Sequence, residues 1–334
     1  MERTIAVAGA GIFGVWQALI LARAGHRVDL YDPCPTPFAN TASQHAGAMI
    51  APFCEAEAAD PLVRDYGLAA ARLWKEIYPG LVPNGSLVVA SARDMGELKR
   101  FGRMTVGYES VTGDRMAALE PDLAARFQQG LYFRDEAHMT TPTALRELLN
   151  LAMAAGAHAH FGVGIENAPE NAHEIIVDCR GLAARDRLPN LRGVRGERLV
   201  IRTADVTLSR PVRLLHPRHP LYVVPWTEHR FLVGATVIES DDSSVMTVRS
   251  ALELLGLAYA LHPAFAEAEI IDMDTGVRPA FPDNVPRVIA EDAGSRIHVN
   301  GAYRHGFLLG PIMATIVRDH LAGKLPAHPL LLQR

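Results

Sequence analysis

The chain has 334 residues, of which 49% are hydrophobic and 21% are charged, and its formal net charge is −4. This length allows two domains with large cores, and the slightly acidic balance argues against nucleic acid as a partner. Its three cysteines, Cys34, Cys54 and Cys179, are too few and too scattered for a disulfide framework or a zinc site, so no metal is expected. With no long apolar run and no room for a signal peptide, we expect a cytoplasmic protein without a membrane partner.

The first predicted unit covers residues 4–32 and reads TIAVAGAGIFGVWQALILARAGHRVDLYD. Small and β-branched residues up to Ala8 predict a buried parallel strand. The apolar periodicity from Ile12 predicts a helix that Gly25 ends. RVDLYD then predicts a second strand, so the unit has the β–α–β order of a nucleotide-binding motif.

A glycine motif, Gly9-x-Gly11-x-x-Gly14, joins the first strand to the helix. Gly9 permits the tight turn, Gly11 permits close approach of a pyrophosphate, and Gly14 permits close packing of helix on strand. The free N–H groups of the helix N-terminus favour phosphates. Asp32 is placed to accept hydrogen bonds from ribose hydroxyls. The unit therefore predicts dinucleotide binding, and the motif alone fits both NAD and FAD.

Further along the chain, loops alternate with helices and strands. A loop rich in Pro, Ser, Thr and Gly precedes a helix predicted over 63–78, and GSLVVASA predicts a strand. A second helix is predicted over 141–156, and EIIVDCRG, PLYVVPW and RFLVGATV predict further strands. The last helix is predicted to begin near Pro311.

The nucleotide-type elements form three separated blocks, interrupted twice by strand-rich segments. We expect an FAD-binding domain from 1–82, 143–204 and 269–334, and a substrate-binding domain from 83–142 and 205–268. The expected fold class is α/β (α+β), with a Rossmann-like FAD-binding domain interleaved with a mixed/antiparallel-sheet substrate domain. Because NAD-dependent dehydrogenases usually keep the nucleotide domain contiguous, this interleaving favours a flavoprotein.

Five stretches, taken in order, carry a resemblance over almost the whole chain. They are the 4–32 unit, TASQHAGAMIAP at 41–52, residues 178–201, residues 221–237, and residues 275–311. Their pattern resembles the FAD-dependent D-amino acid oxidase family, and within it the thiamine-pathway glycine oxidases. The related monomeric sarcosine oxidases attach their flavin to a cysteine in the C-terminal third. Since none follows Cys179 here, the resemblance implies non-covalent FAD.

The resemblance implies a set of cofactor contacts in the glycine motif, the loop beside the flavin, the strand near the adenine and the start of the last helix. These are Gly9, Gly11, Ile12, Phe13, Gly14, Asp32, Ser43, Ala46, Gly47, Met49, Val163, Gly181, Arg304, His305, Gly306, Phe307 and Leu308. It also implies that Arg278 binds the substrate carboxylate, with Tyr222, Val237 and Arg304 around the same pocket. Arg180, which precedes Gly181, would need a partner if it is buried.

The chemistry of an amino acid oxidase fits these residue types. The planar fork of arginine holds a carboxylate by two charge-assisted hydrogen bonds, and Pro279 favours an extended backbone at Arg278. The start of the last helix would face the negative edge of reduced flavin. The flavin does the chemistry, so no catalytic residue is expected in the chain. Alternatively, Arg278 is an ordinary surface arginine and Tyr222 only packs on a sheet.

We therefore expect an FAD-dependent oxidase of glycine or another small amino acid, such as sarcosine or a D-amino acid. Hydride passes to flavin N5 and O2 is reduced to H2O2, and the imino acid product hydrolyses or serves thiamine thiazole synthesis. The relatives imply a homo-oligomer. One alternative is a dehydrogenase that passes electrons to a quinone or carrier protein. Another is a non-catalytic dinucleotide-binding regulator.

Overall fold

The computed structural model of the chain describes residues 2–169, 171–291, 294–325 and 327–334. Within them the strands are β1 Thr4–Ala8, β2 Arg27–Asp32, β3 Met49–Ile50, β4 Ser86–Ala90, β5 Glu109–Thr112, β6 Gln129–Phe133, β7 Ala137–His138, β8 His158–Phe161, β9 Ile175–Asp178, β10 Arg192–Arg202, β11 Val212–Leu215, β12 Leu221–Pro225, β13 Arg230–Gly234, β14 Ile238–Glu239, β15 Glu269–Ala280, β16 Arg287–Glu291, β17 Arg296–Asn300 and β18 Leu331–Gln333. The helices are α1 Ile12–Arg23, α2 Pro52–Glu55, α3 Pro61–Ile77, α4 Met95–Met104, α5 Gly113–Leu119, α6 Pro121–Ala124, α7 Thr141–Ala154, α8 Val248–Leu261 and α9 Gly306–Leu321.

The first sheet contains the predicted nucleotide-binding unit. Its seven strands run in the order β18-β16-β17-β9-β1-β2-β8, and β1 pairs in parallel with both β2 and β9. Every residue of α1 from Ile12 to Ala22 is buried, because the helix packs against both α7 and α9. A parallel strand with helices around it is buried on all sides, which explains the continuous apolar runs of this region.

The second sheet has nine strands and is mostly antiparallel. Its order is β14-β10-β13-β12-β11-β4-β6-β5, with β15 paired to β10. The apolar face of α8, with Leu254, Ala258 and Leu261, belongs to the core of this sheet. Together the two sheets give the mixed α/β fold class that the sequence predicts. Residues 192–202 and 269–280, which fall in the predicted FAD-binding blocks, lie in this second sheet.

The last helix begins five residues earlier than the sequence predicts. α9 starts at Gly306, and Pro311 lies inside it. A proline within a helix leaves the carbonyl four residues earlier without its usual N–H donor. Here that carbonyl belongs to Phe307, and the indole Nε1 of buried Trp74 donates to it at 2.7 Å. The side chain of a distant helix thus replaces the missing backbone hydrogen bond, and the helix continues through the proline.

Among the helices of the described residues, none is both long enough and apolar enough to cross a lipid bilayer.

Candidate active site

A cavity of about 1130 Å³ is lined by residues from both sheets. Most of the predicted site residues line it: Gly9, Gly11, Ile12, Phe13, Asp32, Ser43, Ala46, Gly47, Met49, Gly181, Tyr222, Val237, Arg278, Arg304, Gly306, Phe307 and Leu308. Three predicted contacts, Gly14, Val163 and His305, are not part of this lining. Gly14 lies beneath the turn, Val163 donates its backbone N–H to the carbonyl of Asp32, and His305 faces the carboxylate of Glu55.

The turn between β1 and α1 leaves no space for larger side chains. Gly9 has φ +93°, and a Cβ at Gly14 would lie 1.8 Å from the Gly9 carbonyl oxygen. The helix can therefore approach the turn closely only with glycine at position 14. At the start of α1, the N–H of Ile12 donates to Ser43 Oγ at 2.9 Å. This arrangement brings the helix N-terminus and a hydroxyl group to the cavity wall, where both suit a phosphate.

The carboxylate of Asp32 is held rigidly at the end of β2. Its Oδ2 accepts a hydrogen bond from the N–H of Ala10 at 2.8 Å, and its Oδ1 accepts one from the N–H of Cys34 at 2.9 Å. Each carboxylate oxygen can accept a second hydrogen bond. Asp32 therefore supports the turn and still has acceptor capacity at the cavity surface.

The loop that contains Ala46 and Gly47 is fixed from two sides. Thr141 Oγ1 donates to the carbonyl oxygen of Ala46 at 2.5 Å, which ties the loop to α7. On the other side the ring of Tyr222 packs on the loop backbone, and a Cβ at Gly47 would lie 2.9 Å from Tyr222 Cε2. Glycine at this position therefore permits the contact between β12 and the loop.

Arg278 projects from β15 into the cavity. Its Nη1 donates to the carbonyl oxygens of Arg195 at 3.4 Å and Thr236 at 3.3 Å. Burial lowers the pKa of Arg278, and the nearby charge of Arg304 lowers it further. Among the described residues it has no carboxylate partner. The guanidinium is thus a desolvated cation held by weak carbonyl contacts, which is a state that an anionic ligand would relieve.

Glu55, at the end of α2, and Arg213, on β11, also line the cavity, although sequence reasoning missed both. Arg213 Nη2 donates to Glu55 Oε1 at 2.6 Å, and Arg304 Nη2 lies 3.5 Å from the same oxygen. His305 Nδ1 lies 3.5 Å from Glu55 Oε2. Burial alone would raise the pKa of Glu55, but the charges of Arg304 and Arg213 hold that pKa well below its usual range. We call these four residues the Glu55 cluster.

The other arginines of the cavity lining are also paired. The pairs are Arg180 with Asp178 at 2.7 Å and with Asp186 at 3.0 Å, Arg198 with Asp272 at 2.5 Å and with Asp274 at 3.8 Å, and Arg100 with Glu57 at 2.7 Å and with Glu97 at 3.0 Å. The first of these pairs gives Arg180 the partner that the sequence left open. Arg278 is therefore distinguished from every other arginine of the lining by its lack of a carboxylate within the described chain.

The fold and the cavity define a dinucleotide-binding enzyme, and comparison with known proteins gives its family. The model of the DAO family, described as FAD dependent oxidoreductase, matches residues 4–320. The chain therefore belongs to the DAO family of FAD-dependent oxidoreductases, and its cofactor is FAD. The resemblance noted in the sequence is confirmed, and the glycine turn, the start of α1 and the fixed carboxylate of Asp32 fit that cofactor.

Three comparisons illustrate the relationship. A Rhizobium etli protein, whose name assigns it to thiamine biosynthesis as the oxidoreductase ThiO, is 52% identical over 321 residues, covering 95% of this chain and 96% of that protein. A glycine oxidase of Geobacillus kaustophilus is 25% identical, covering 98% and 94%. The crystal structure of glycine oxidase from Geobacillus kaustophilus has a TM-score of 0.81 at 22% identity and covers 100% of this chain and 99% of its own. This structural likeness supports the shared fold.

Proposed function

We propose that this protein is an amino acid oxidase that acts on glycine or another small amino acid, such as sarcosine or a D-amino acid. The observation that carries the proposal is the guanidinium of Arg278, which faces the FAD cavity without a carboxylate partner among the described residues. An α-amino acid brings the missing carboxylate. The names of the relatives, glycine oxidase and ThiO, support the same substrate class and a role in thiamine biosynthesis.

In this proposal the substrate carboxylate binds to Arg278, since a guanidinium can donate two parallel hydrogen bonds to it. The hydroxyl of Tyr222, on β12, adds a second donor at the same cavity. Val237, whose surface is 49% exposed, borders the space left for the substrate side chain. A carboxylate fixed in this way leaves the amino group and Cα directed into the cavity, with no chain residue needed to take part in bond breaking.

Bound FAD supplies a two-electron acceptor: it would accept hydride from the substrate Cα at N5, and O2 would then take the electrons to give H2O2. The chain contributes charge stabilisation. The first N–H groups of α9, at Gly306 and Phe307, and the guanidinium of Arg304 provide positive potential along this wall of the cavity. We propose that FAD is held without a covalent bond and that the imino acid product hydrolyses or enters thiazole synthesis.

Replacement of Arg278 tests the proposal. In anaerobic stopped-flow experiments, glycine should reduce the flavin of the wild-type protein. Arg278→Ala should lower the second-order rate constant of reduction at least about 100-fold, because two charge-assisted hydrogen bonds at about 1.5 kcal/mol each are lost. Arg278→Lys keeps the positive charge but loses the planar fork, so its rate constant of reduction should lie between those of wild type and Arg278→Ala. Arg72→Ala, at an exposed position, serves as the control.

The outcomes separate the parts of the proposal. Equal reduction rates in wild type and Arg278→Ala would remove Arg278 from substrate binding. Wild-type protein that no small amino acid reduces would contradict the amino acid oxidase function itself. The yield of H2O2 per glycine consumed in air, compared with the rate of dye reduction, distinguishes an oxidase from a dehydrogenase.

A further inference from the structure

The charges of the cavity are distributed in an unusual way. Besides the three paired arginines described above, the lining contains Arg213, Arg278 and Arg304. Two of them lie against one carboxylate, that of Glu55, while Arg278 has only carbonyl contacts within the described chain. Of the six arginines that line the cavity, Arg278 is thus the one without a carboxylate within the described chain.

Glu55 is well placed for this effect. Its side chain is 12% exposed and lies at the cavity surface, with one oxygen shared by the two arginines and the other facing His305. A second carboxylate that approaches Arg304 would therefore also meet the carboxylate of Glu55. Like charges at short range in a partly desolvated site repel strongly. Glu55 consequently weakens the attraction of Arg304 for a second carboxylate.

We propose that Glu55 is a specificity-determining residue that restricts the cavity to substrates with a single carboxylate and directs that carboxylate to Arg278. This inference rests on the proposed function, which it deepens. With Glu55 in place, an amino acid has one orientation in which its carboxylate meets an unpaired cation. Without it, a dicarboxylate can bridge Arg278 and Arg304, and a monocarboxylate can bind in a second, unproductive orientation at Arg304.

The test uses the FAD-loaded protein and two non-reactive anions, acetate and malonate, whose binding is followed by the change in flavin absorbance. In wild type, malonate should bind no more than about twofold more tightly than acetate. In Glu55→Gln, which keeps the shape and removes the charge, the preference for malonate should rise at least tenfold. Glu76→Gln makes the same change at an exposed position outside the cavity lining and should leave the preference unchanged.

Several results would overturn the inference. These are a wild-type preference for malonate above tenfold, an unchanged preference in Glu55→Gln, or no response of wild type to either anion. Since the wild-type measurement needs no variant, the inference stays testable even if Glu55→Gln does not fold. In the double variant Glu55→Gln/Arg304→Gln, the preference for malonate over acetate that Glu55→Gln gains should disappear.

Kinetics separate this inference from the proposed function. If glycine fails to reduce wild-type flavin, the proposed function fails, while the ratio of anion affinities still reports on Glu55. If glycine reduces wild type, Glu55→Gln should show substrate inhibition by glycine at lower concentrations than wild type, because of the second orientation. Unchanged substrate inhibition together with an unchanged malonate preference would show that Glu55 is only structural.

Discussion

The backbone at Gly196 leaves room for the guanidinium of Arg278. A Cβ at this position on β10 would lie 2.1 Å from Arg278 Nη2. In Gly196→Ala the guanidinium can move, because it is the end of a flexible side chain, so folding stability should change little. The displaced guanidinium would nevertheless no longer face the position in the cavity that we assign to the substrate carboxylate. We expect the acetate dissociation constant to rise at least tenfold, measured by flavin absorbance.

The matched control for this substitution is Gly256→Ala in α8, where an added Cβ meets nothing within 4 Å. It should leave the acetate dissociation constant unchanged. If Gly196→Ala loses much of its thermal stability instead, the backbone rather than the guanidinium has moved, and the glycine serves the strand rather than the anion site.

At the scale of elements, the hydrogen bond from Trp74 to Phe307 allows α9 to run through Pro311. In Trp74→Phe the carbonyl of Phe307 would be buried without a donor, which costs about 1–2 kcal/mol beyond the loss of ring volume. Trp16→Phe is the control, because Trp16 is equally buried and its Nε1 has no partner in the described residues. Urea denaturation should show a larger loss of unfolding free energy for Trp74→Phe. Equal losses would mean that the hydrogen bond contributes nothing.

At the scale of the whole molecule, buried histidines should make stability depend on pH. Burial lowers the pKa of both His138 and His305 to about 4, whereas the unfolded chain has a histidine pKa of about 6.5. Between these values the unfolded state binds more protons than the folded state. Stability is therefore complete above about pH 6.5 and falls toward pH 4, with a slope of up to about 1.4 kcal/mol per pH unit for each histidine.

Urea denaturation at pH 7.5, 6.0 and 5.0 checks this pH dependence. In His138→Gln the dependence of the unfolding free energy on pH should lose the contribution of one proton, up to about 1.4 kcal/mol per pH unit, because the amide cannot titrate. The exposed His158→Gln should leave the profile as it is in wild type. A free energy of unfolding that is constant from pH 7.5 to 5.0 would contradict the assignment of both buried histidines.

The sequence predicts best what is local in the chain. The 4–32 unit was predicted in full, since turn, helix and carboxylate follow fixed spacings. The Glu55 cluster could not be predicted from the sequence, because Glu55, Arg213 and Arg304 come from three distant segments and no spacing rule connects them. The sequence also does not predict the early start of α9. That start depends on the hydrogen bond from Trp74 to Phe307, two residues that are 233 positions apart in the chain. The domain boundaries and the roles of the site residues remain predictions.

The pairing of β1 with β9 has a consequence for synthesis on the ribosome. The first β–α–β unit is complete at Asp32, yet one side of β1 has no neighbour until Ile175–Asp178 has been made. At about 5–20 residues per second this delay lasts roughly 7 to 30 s. The wall formed by α9 follows later still. The nascent chain therefore has an unpaired edge on β1 for nearly half of the time needed to make the 334 residues. We expect it to need chaperones during that time and to bind its cofactor only once α9 has been made.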